Sequence, residues 1–246
     1  MTREIPIFLI GGQKSHAFDF PCHVFGLVWD MPLVRAAMEF SYPGIAQDIA
    51  CLRDLLLKAM VLVGATPRVC PAILNLACGR ADETGALIDA WSVAGHGGEY
   101  LGLDLRHAEI HEAQRRWSAC WQPHGSVEFR VADVSQPHRL PGDRRYDFAF
   151  VRHQNYWDAP AIWDQIYRNA LARLKPDGLL VFTSYFDREH ELAMAALKSM
   201  GATLWLDIPH TRSRILADAP GKSVDKRLAI LGPPEVTSPI RNLSLS

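Results

Sequence analysis

The sequence predicts an α/β fold with a mostly parallel sheet and helices on both faces. Between residues 72 and 200, short apolar runs typical of strands alternate with longer segments of helical periodicity. The run at residues 179–183 is continuously apolar, as expected of a strand buried on both faces. Repeated strand–helix–strand units imply a parallel sheet, and right-handed crossovers leave few topologies for it.

The elements follow in order along the chain. A first helix is predicted from Pro43, because apolar residues recur at helical spacing from Ile45 to Ala59. Strands are predicted at residues 72–76, 100–104, 127–132, 146–151, 179–183, 203–208 and 227–231. Further helices are predicted at residues 83–91, 107–121, 160–174 and 189–200. Pro176 and Gly178 are expected to stop the third of these helices. Because no helical segment separates the last two strands, we expect an antiparallel hairpin there.

Three segments are expected. Residues 1–42 are rich in aromatic residues, Pro and Gly, and form either a lid over the site or an arm packed on the sheet edge. Residues 43–232 form one α/β domain. Residues 233–246, with their Pro, Ser and Thr, are expected to be a flexible tail.

Composition narrows the class of protein. The chain has 246 residues, 48% of them hydrophobic, which is enough for a sizeable core. A net charge of −1 gives no global attraction for nucleic acid or anionic membrane, and no apolar run is long enough to span a bilayer. The five cysteines are scattered without a C-x-x-C pair, so we expect reduced thiols, no metal site and a cytoplasmic location.

Polar residues at the predicted strand ends indicate a ligand site, because ligands of such sheets bind outside the carboxyl ends of the strands. These residues lie at positions 75–80, 104, 133 and 152–156. In the first loop, only Gly79 matches the three glycines of a dinucleotide fingerprint, which would fall at positions 77, 79 and 82. A small aminoacyl group therefore suits this loop better than a diphosphate.

Two carboxylates extend that site. Asp104 can accept both hydroxyls of a ribose, although an acidic residue after a strand can equally cap the next helix. Asp133 ends the third strand and offers an acceptor for an exocyclic amine. Together they indicate a site for an adenosine without a diphosphate.

The ordered motifs resemble those of class I S-adenosylmethionine-dependent methyltransferases over about residues 73–231. They are LACGRADETG, YLGLDL, FRVADV, YDFAFVRHQNYW and LARLKPDGLLVF. The resemblance implies a three-layer, Rossmann-like, seven-stranded sheet whose last strand is antiparallel. It also implies that Asp104 holds the ribose and that Asp133 with Val134 recognises adenine, flanked by Leu105. The further cofactor residues implied are Asn75, Ala77, Gly79 and Arg152.

The first motif departs from the family pattern at two positions. The family usually has an acidic residue at the position of Asn75, and Asn lacks the charge that would attract the cofactor's ammonium group. It often has a third glycine at the position of Ala81, which costs little if the φ of Ala81 is negative. We expect a weakened rather than a destroyed cofactor site.

The end of the fourth strand is the region nearest the methyl acceptor in this family. His153 is the candidate catalytic base, and Arg152 can also anchor an acceptor carboxylate. Asn155, Tyr156 and Trp157 are candidates for acceptor binding. Alternatively, His153 satisfies loop backbone, and the two aromatic residues belong to the core.

The leading hypothesis is a methyltransferase that acts on a small molecule by in-line transfer. The amino-methylation motif D/N-P-P-Y/F is missing, and the basic doublets at 115–116 and 144–145 are more typical of solvated faces than of an RNA-binding track. Nucleic acid and protein acceptors stay open, as does the oligomeric state. One alternative is a cofactor-binding partner protein without catalysis. A nicotinamide-dependent oxidoreductase, which would share the parallel sheet and Asp104, is the weaker alternative.

Overall fold

A computed structural model describes residues 44–94, 96–118, 125–140 and 142–234. The predicted arm or lid at residues 1–42 and nearly all of the predicted tail lie outside the described residues. The division into an arm, a domain and a tail therefore stays a prediction.

The described residues form one seven-stranded sheet with the strand order β3-β2-β1-β4-β5-β7-β6. The strands are β1 (Ala72–Leu76), β2 (Glu99–Asp104), β3 (Ser126–Val131), β4 (Tyr146–Arg152), β5 (Leu174–Ser184), β6 (Thr203–Pro209) and β7 (Arg227–Gly232). Strand β7 is antiparallel to both of its neighbours, and the other pairs are parallel. The predicted sheet and its antiparallel last strand are confirmed.

Two predicted helix ends are wrong. The helix expected at residues 107–121 ends at Trp117. The helix expected at residues 160–174 ends at Ala172, and β5 begins at Leu174 rather than at residue 179. Leu174 already pairs with Tyr146, whose backbone N–H also donates to Arg173 O at 2.8 Å. The segment with Pro176 and Gly178 is therefore an irregularity within the β4–β5 pairing, and the helix ends before it.

Helices cover both faces of the sheet. They are α1 (Ile45–Leu62), α2 (Thr84–Trp91), α3 (His107–Trp117), α4 (Pro160–Ala172) and α5 (Asp187–Ser199). On one face, Phe148 and Val181 of the sheet pack in a core with α1, α2 and α3. On the other, Ala149 and Leu180 pack with α4 and α5. This alternation along the strands produces three layers, as expected of a sheet buried on both faces.

The first core is anchored by aromatic residues. Trp91 of α2 stacks on Phe148 of β4, with ring centroids 4.6 Å apart, and meets Phe150 edge-on at 6.0 Å. All three side chains are fully buried. Burial of each contributes roughly 1.5–3 kcal/mol, and the ring contacts add about 0.5–1.5 kcal/mol.

The topology brings one end of each of the seven strands to the same edge of the sheet. The carboxyl ends of β1 to β6 lie there, and because β7 runs antiparallel, its amino end lies beside them. Asp225, just before β7, therefore lies at the same edge as Arg152. None of the helices in the described part of the chain is long and apolar enough to cross a membrane.

Candidate active site

A cavity of about 820 Å³ opens at this edge of the sheet. Its size is within the usual range for ligand pockets. The predicted residues that line it are Ala77, Gly79, Asp104, Leu105, Asp133, Val134, Arg152, His153 and Asn155. The described lining does not include Asn75, Tyr156 or Trp157. A second cavity, of about 950 Å³, lies at the opposite edge of the sheet beside Lys175 and Trp205, away from every predicted site residue.

The loop after β1 has an unusual backbone. Ala77, Gly79 and Ala81 have φ values of 54°, 55° and 56°. A left-handed conformation suits glycine and costs an L-residue roughly 1–2 kcal/mol. The condition under which Ala81 would cost little, a negative φ, is therefore not met. Ala81 is nonetheless fixed in the fold, since it is buried and its N–H donates to Cys78 O at 2.8 Å.

Asp104 at the end of β2 is held by four donors. Its Oδ1 accepts from the backbone N–H and the Nε of Arg106, both at 2.9 Å. Its Oδ2 accepts from the backbone N–H of Gly79 at 2.8 Å and from Arg106 Nη2 at 3.1 Å. Burial alone would raise the pKa of Asp104, but these donors lower it below its usual value. Asp104 is thus a firmly ionised acceptor beside the loop of Gly79.

Asp133 lies in a turn after β3. Its Oδ1 accepts from the N–H and the hydroxyl of Ser135 at 3.0 and 2.6 Å, and its Oδ2 accepts from Gln136 Nε2 at 2.8 Å. These donors, those of Ser135 first, lower the pKa of Asp133. Because Oδ2 has one donor among the described residues and a carboxylate oxygen can take two, it retains capacity for a ligand donor.

Two apolar residues adjoin these carboxylates. Val134 is buried, and its carbonyl accepts from Asn169 Nδ2 of α4 at 2.8 Å, which fixes this turn. Leu105 is 65% exposed, although it lines the cavity. An exposed Leu beside a buried Val is a surface that a flat apolar ring can cover.

Asn75 lies beneath the cavity in a buried polar cluster. Its Nδ2 donates to Glu83 Oε1 at 2.6 Å and contacts the hydroxyl of Tyr100 at 2.7 Å. Asn75 Oδ1 has no hydrogen-bond partner among the described residues. Glu83 lines the cavity and was not among the predicted site residues.

Arg152 at the end of β4 is committed to a buried ion pair. Its Nε and Nη2 donate to the two carboxylate oxygens of Asp225 at 3.0 and 2.7 Å. Thr183 Oγ1 donates to the same carboxylate at 2.7 Å. Burial would raise the pKa of Asp225, but Arg152 and His153 hold it well below its usual value. This pairing leaves Arg152 poorly placed to anchor an acceptor carboxylate.

His153 follows in a strained conformation, with φ 55°, and Asp225 has φ 50°. His153 Nε2 lies 2.8 Å from Asp225 Oδ1, and the backbone N–H of Asp225 donates to it at 3.1 Å. Its ring stacks on Tyr185, with centroids 3.8 Å apart. Burial lowers the pKa of His153, and Arg152 lowers it further, against the opposing effect of Asp225. The cavity is therefore lined by a neutral, oriented imidazole at physiological pH.

The predicted acceptor-binding residues after His153 differ in whether they line the cavity. Asn155 reaches the cavity, and its carbonyl accepts from Trp163 Nε1 at 3.0 Å. Tyr156 is buried, and its hydroxyl donates to Asp164 Oδ1 at 2.7 Å. Trp157 packs at a tilt on Phe186, with centroids 4.9 Å apart. The structure thus brings Asn155, but not the two aromatic residues, to the cavity.

Other residues that line the cavity were not predicted from the sequence. They come from α1, α4 and the segment 210–226 between β6 and β7, and they are Ile45, Asp48, Ile162, Trp163, Ile166, Arg214, Leu216 and Val224. Arg214 joins two of these elements, since its Nε and Nη2 donate to Asp48 of α1 at 2.9 and 2.6 Å. Tyr185, at the end of β5, completes an apolar and aromatic compartment beside His153.

Comparison with known proteins agrees with this geometry. Residues 73–178 match the family model described as a methyltransferase domain. No curated protein sequence is significantly similar to the chain.

Three solved structures illustrate the structural likeness. The PH0226 protein of Pyrococcus horikoshii OT3 has a TM-score of 0.58 at 17% identity, over 78% of this chain and 92% of that one. A S-adenosylmethionine-dependent methyltransferase of Clostridium acetobutylicum ATCC 824 has a TM-score of 0.55 at 12% identity, over 82% and 95%. The N-methyltransferase NodS of Bradyrhizobium japonicum WM9 has 0.54 at 19%, over 76% and 98%. At these sequence identities, the similarity to the three structures shows a shared fold and no more.

Proposed function

We propose that this chain, a class I S-adenosylmethionine-dependent methyltransferase, methylates a small-molecule acceptor. The observation that carries the proposal is one cavity with two chemically different ends. One end has the ionised Asp104 and Asp133, and the other has the apolar and aromatic compartment beside His153. The proposal covers the acceptor and the roles of individual residues.

The first end fits the cofactor. Asp104 is an ionised acceptor beside the close-approach loop of Gly79, as a ribose diol next to an aminoacyl group requires. Asp133 retains acceptor capacity for an exocyclic amine, and the exposed Leu105 offers a surface for adenine. When bound, the cofactor supplies an electrophilic methyl group on a sulfonium. We propose Ala77, Gly79, Asp104, Leu105, Asp133 and Val134 as the residues that contact it.

A small acceptor is favoured because three separate elements wall the second compartment, and hydrogen bonds between Arg214 and Asp48 join two of them. The basic doublets give no support to a nucleic-acid track. Arg116 is buried and bonded to Asp82, Arg115 pairs with Glu112, and Arg144 pairs with Glu99. A large polymer would need a more open and more basic surface.

The chain contributes alignment and, we propose, a proton acceptor. Exclusion of water from the site of transfer would protect the methyl group from competing attack. We propose the tautomer that donates Nε2–H to Asp225 Oδ1, 2.8 Å away, because it leaves Nδ1 able to take a proton from the acceptor. His153 and Asp225 both adopt left-handed backbone conformations, and strain of this kind is concentrated at functional sites.

A second candidate function is a cofactor-binding partner protein without catalysis. Asn75, the left-handed Ala81 and the saturation of Asp104 by Arg106 favour it, because each is expected to weaken cofactor binding. A nicotinamide cofactor is disfavoured, since the loop lacks the glycines for a diphosphate and Asp133 would have no role.

Calorimetry and turnover test the proposal. We expect S-adenosylhomocysteine, but not NAD, to bind the protein, and Asp104→Ala to lower that affinity at least tenfold through lost charge-assisted hydrogen bonds. Thermal unfolding of the variant controls for its fold. Methyl-labelled cofactor is then incubated with a metabolite extract, total RNA or a protein extract. Label in the metabolite fraction supports the proposal, label in RNA or protein overturns the acceptor class, and binding without label in any fraction supports the partner role.

A further inference from the structure

A buried group of charges at the wall of the cavity is not balanced by other residues in the part of the chain that the structure describes. Glu83 and Asp225 both face Arg152, and all three residues are largely buried. Arg152 Nη2 is 2.7 Å from Asp225, whereas its Nη1 is 3.5 Å from Glu83 Oε2. Since His153 beside them is neutral, the group has two carboxylates for one guanidinium. Glu83 is the less compensated of the two.

The surroundings of Glu83 favour a further cation. Its Oε1 receives the Nδ2 donor of Asn75 at 2.6 Å, and Asn75 Oδ1, also buried, has no partner among the described residues. Burial raises the pKa of Glu83 in spite of Arg152, as expected where compensation is incomplete. The site therefore has buried acceptors and excess negative charge beside the cavity that Glu83 lines.

We infer that Glu83 supplies the negative charge that holds the ammonium of the cofactor's aminoacyl group, in place of the carboxylate absent at Asn75. The carboxylate is displaced by eight residues, from the end of β1 to the residue before α2, and Asn75 connects the two positions by its hydrogen bond. A buried carboxylate attracts a cation more strongly than a solvated one, because little water screens it. The inference rests on the proposed function, since it assigns the aminoacyl group to the loop of Gly79.

The test compares two ligands, of which only one has the aminoacyl group that carries the ammonium. S-adenosylhomocysteine has the aminoacyl group, and 5′-methylthioadenosine lacks it. In calorimetry, Glu83→Gln should weaken S-adenosylhomocysteine binding roughly tenfold, as expected for one charge-assisted contact, and leave methylthioadenosine within about twofold. Glu112→Gln is the matched control, because it removes the same charge from a partly exposed position on α3 outside the cavity lining and should change neither affinity.

A charge-exchange variant keeps the inference testable if Glu83→Gln does not fold. In Asn75→Asp/Glu83→Gln, the hydrogen bond is retained with its donor and acceptor exchanged, and S-adenosylhomocysteine affinity should return to within about threefold of the parent. Equal losses for both ligands, unchanged S-adenosylhomocysteine affinity in Glu83→Gln, or no recovery in the exchange variant would overturn the inference. If the parent binds neither ligand, the cofactor assignment itself fails.

Discussion

The guanidinium of Arg106 bonds both carboxylate oxygens of Asp104, Nε to Oδ1 at 2.9 Å and Nη2 to Oδ2 at 3.1 Å. Backbone N–H groups of Gly79 and Arg106 take one further position on each oxygen. A carboxylate has about four acceptor positions, so the guanidinium fills the two that a ribose diol would use. Arg106 is therefore placed to compete with the proposed cofactor.

Arg106→Ala should tighten S-adenosylhomocysteine binding. The side chain of Arg106 is 62% exposed, so its pair with Asp104 is worth only about 0–1 kcal/mol, and its removal should raise affinity by roughly two- to fivefold. Calorimetry measures the change, with the exposed Arg115→Ala as a control for charge. A weaker affinity in Arg106→Ala would mean that Arg106 contacts the cofactor rather than competes with it.

Ala81→Gly should stabilise the protein, because Ala81 has φ 56°. Relief of the left-handed strain, about 1–2 kcal/mol, outweighs the extra chain entropy of glycine, about 0.5–1 kcal/mol. The expected net gain is on the order of 0.5–1 kcal/mol in the free energy of unfolding in urea. The same change at Ala195, exposed within α5, should instead destabilise by about 0.5–1 kcal/mol. Destabilisation at both positions would contradict the strain argument.

Glu189 should make stability depend on pH. It is buried and accepts from the backbone N–H of Tyr185 at 2.9 Å, and burial raises its pKa to about 7. The pKa of Glu189 is higher in the folded than in the unfolded protein. Its contribution to the free energy of unfolding is therefore fully present below about pH 4.5 and is lost as the pH rises through 7. Between pH 5 and 8 the parent should lose roughly 2–3 kcal/mol more than Glu189→Gln, measured by urea unfolding. Parallel pH profiles would show that the carboxyl does not titrate in this range.

The sheet and the strand ends were predictable because the signal is local. Apolar runs identify buried strands, and Asp104 and Asp133 follow two of them, so both were placed at the cavity before the fold was known. Asp225 was missed for a topological reason, since it precedes a strand. Asp225 reaches the same edge of the sheet because β7 is antiparallel. The predicted hairpin already implied this direction for β7. The positions of the α1 and α4 residues in the cavity wall depend on how these helices pack, which the sequence pattern does not specify.

The φ of Ala81 and the four donors on Asp104 belong to a second group of unpredictable features. Both depend on the three-dimensional course of one loop, and residue type alone favours the opposite: alanine disfavours a left-handed φ. Pro176 and Gly178 were misinterpreted for a similar reason. Their helix-stopping character is real, but pairing of Leu174 with Tyr146 ends the helix first.

His153 should set the acidic limb of the pH–rate profile for an acceptor that must lose a proton. Only the neutral imidazole can accept that proton, so the rate should be constant above the pKa of His153 and fall as the pH drops through it. Burial lowers that pKa, and Arg152 lowers it further, so the limb should lie below the ordinary histidine value of about 6.5. The measurement is kcat/KM from pH 4.5 to 8 with the acceptor found in the label experiment.

The contacts of His153 with Asp225 and Arg152 predict how variants shift the acidic limb of the pH–rate profile. Asp225 opposes the lowering by its charge at 2.8 Å from Nε2, so Asp225→Asn should move the limb to still lower pH, provided that Arg152 stays in place. His153→Gln should remove the limb and lower kcat by roughly 10²–10⁴-fold, the usual contribution of general-base catalysis, while S-adenosylhomocysteine affinity changes little. Cofactor affinity measured in parallel separates a chemical loss from a collapsed site. A full rate in His153→Gln, with the limb still present, would assign the titration to another group and leave His153 as a strained partner of Asp225.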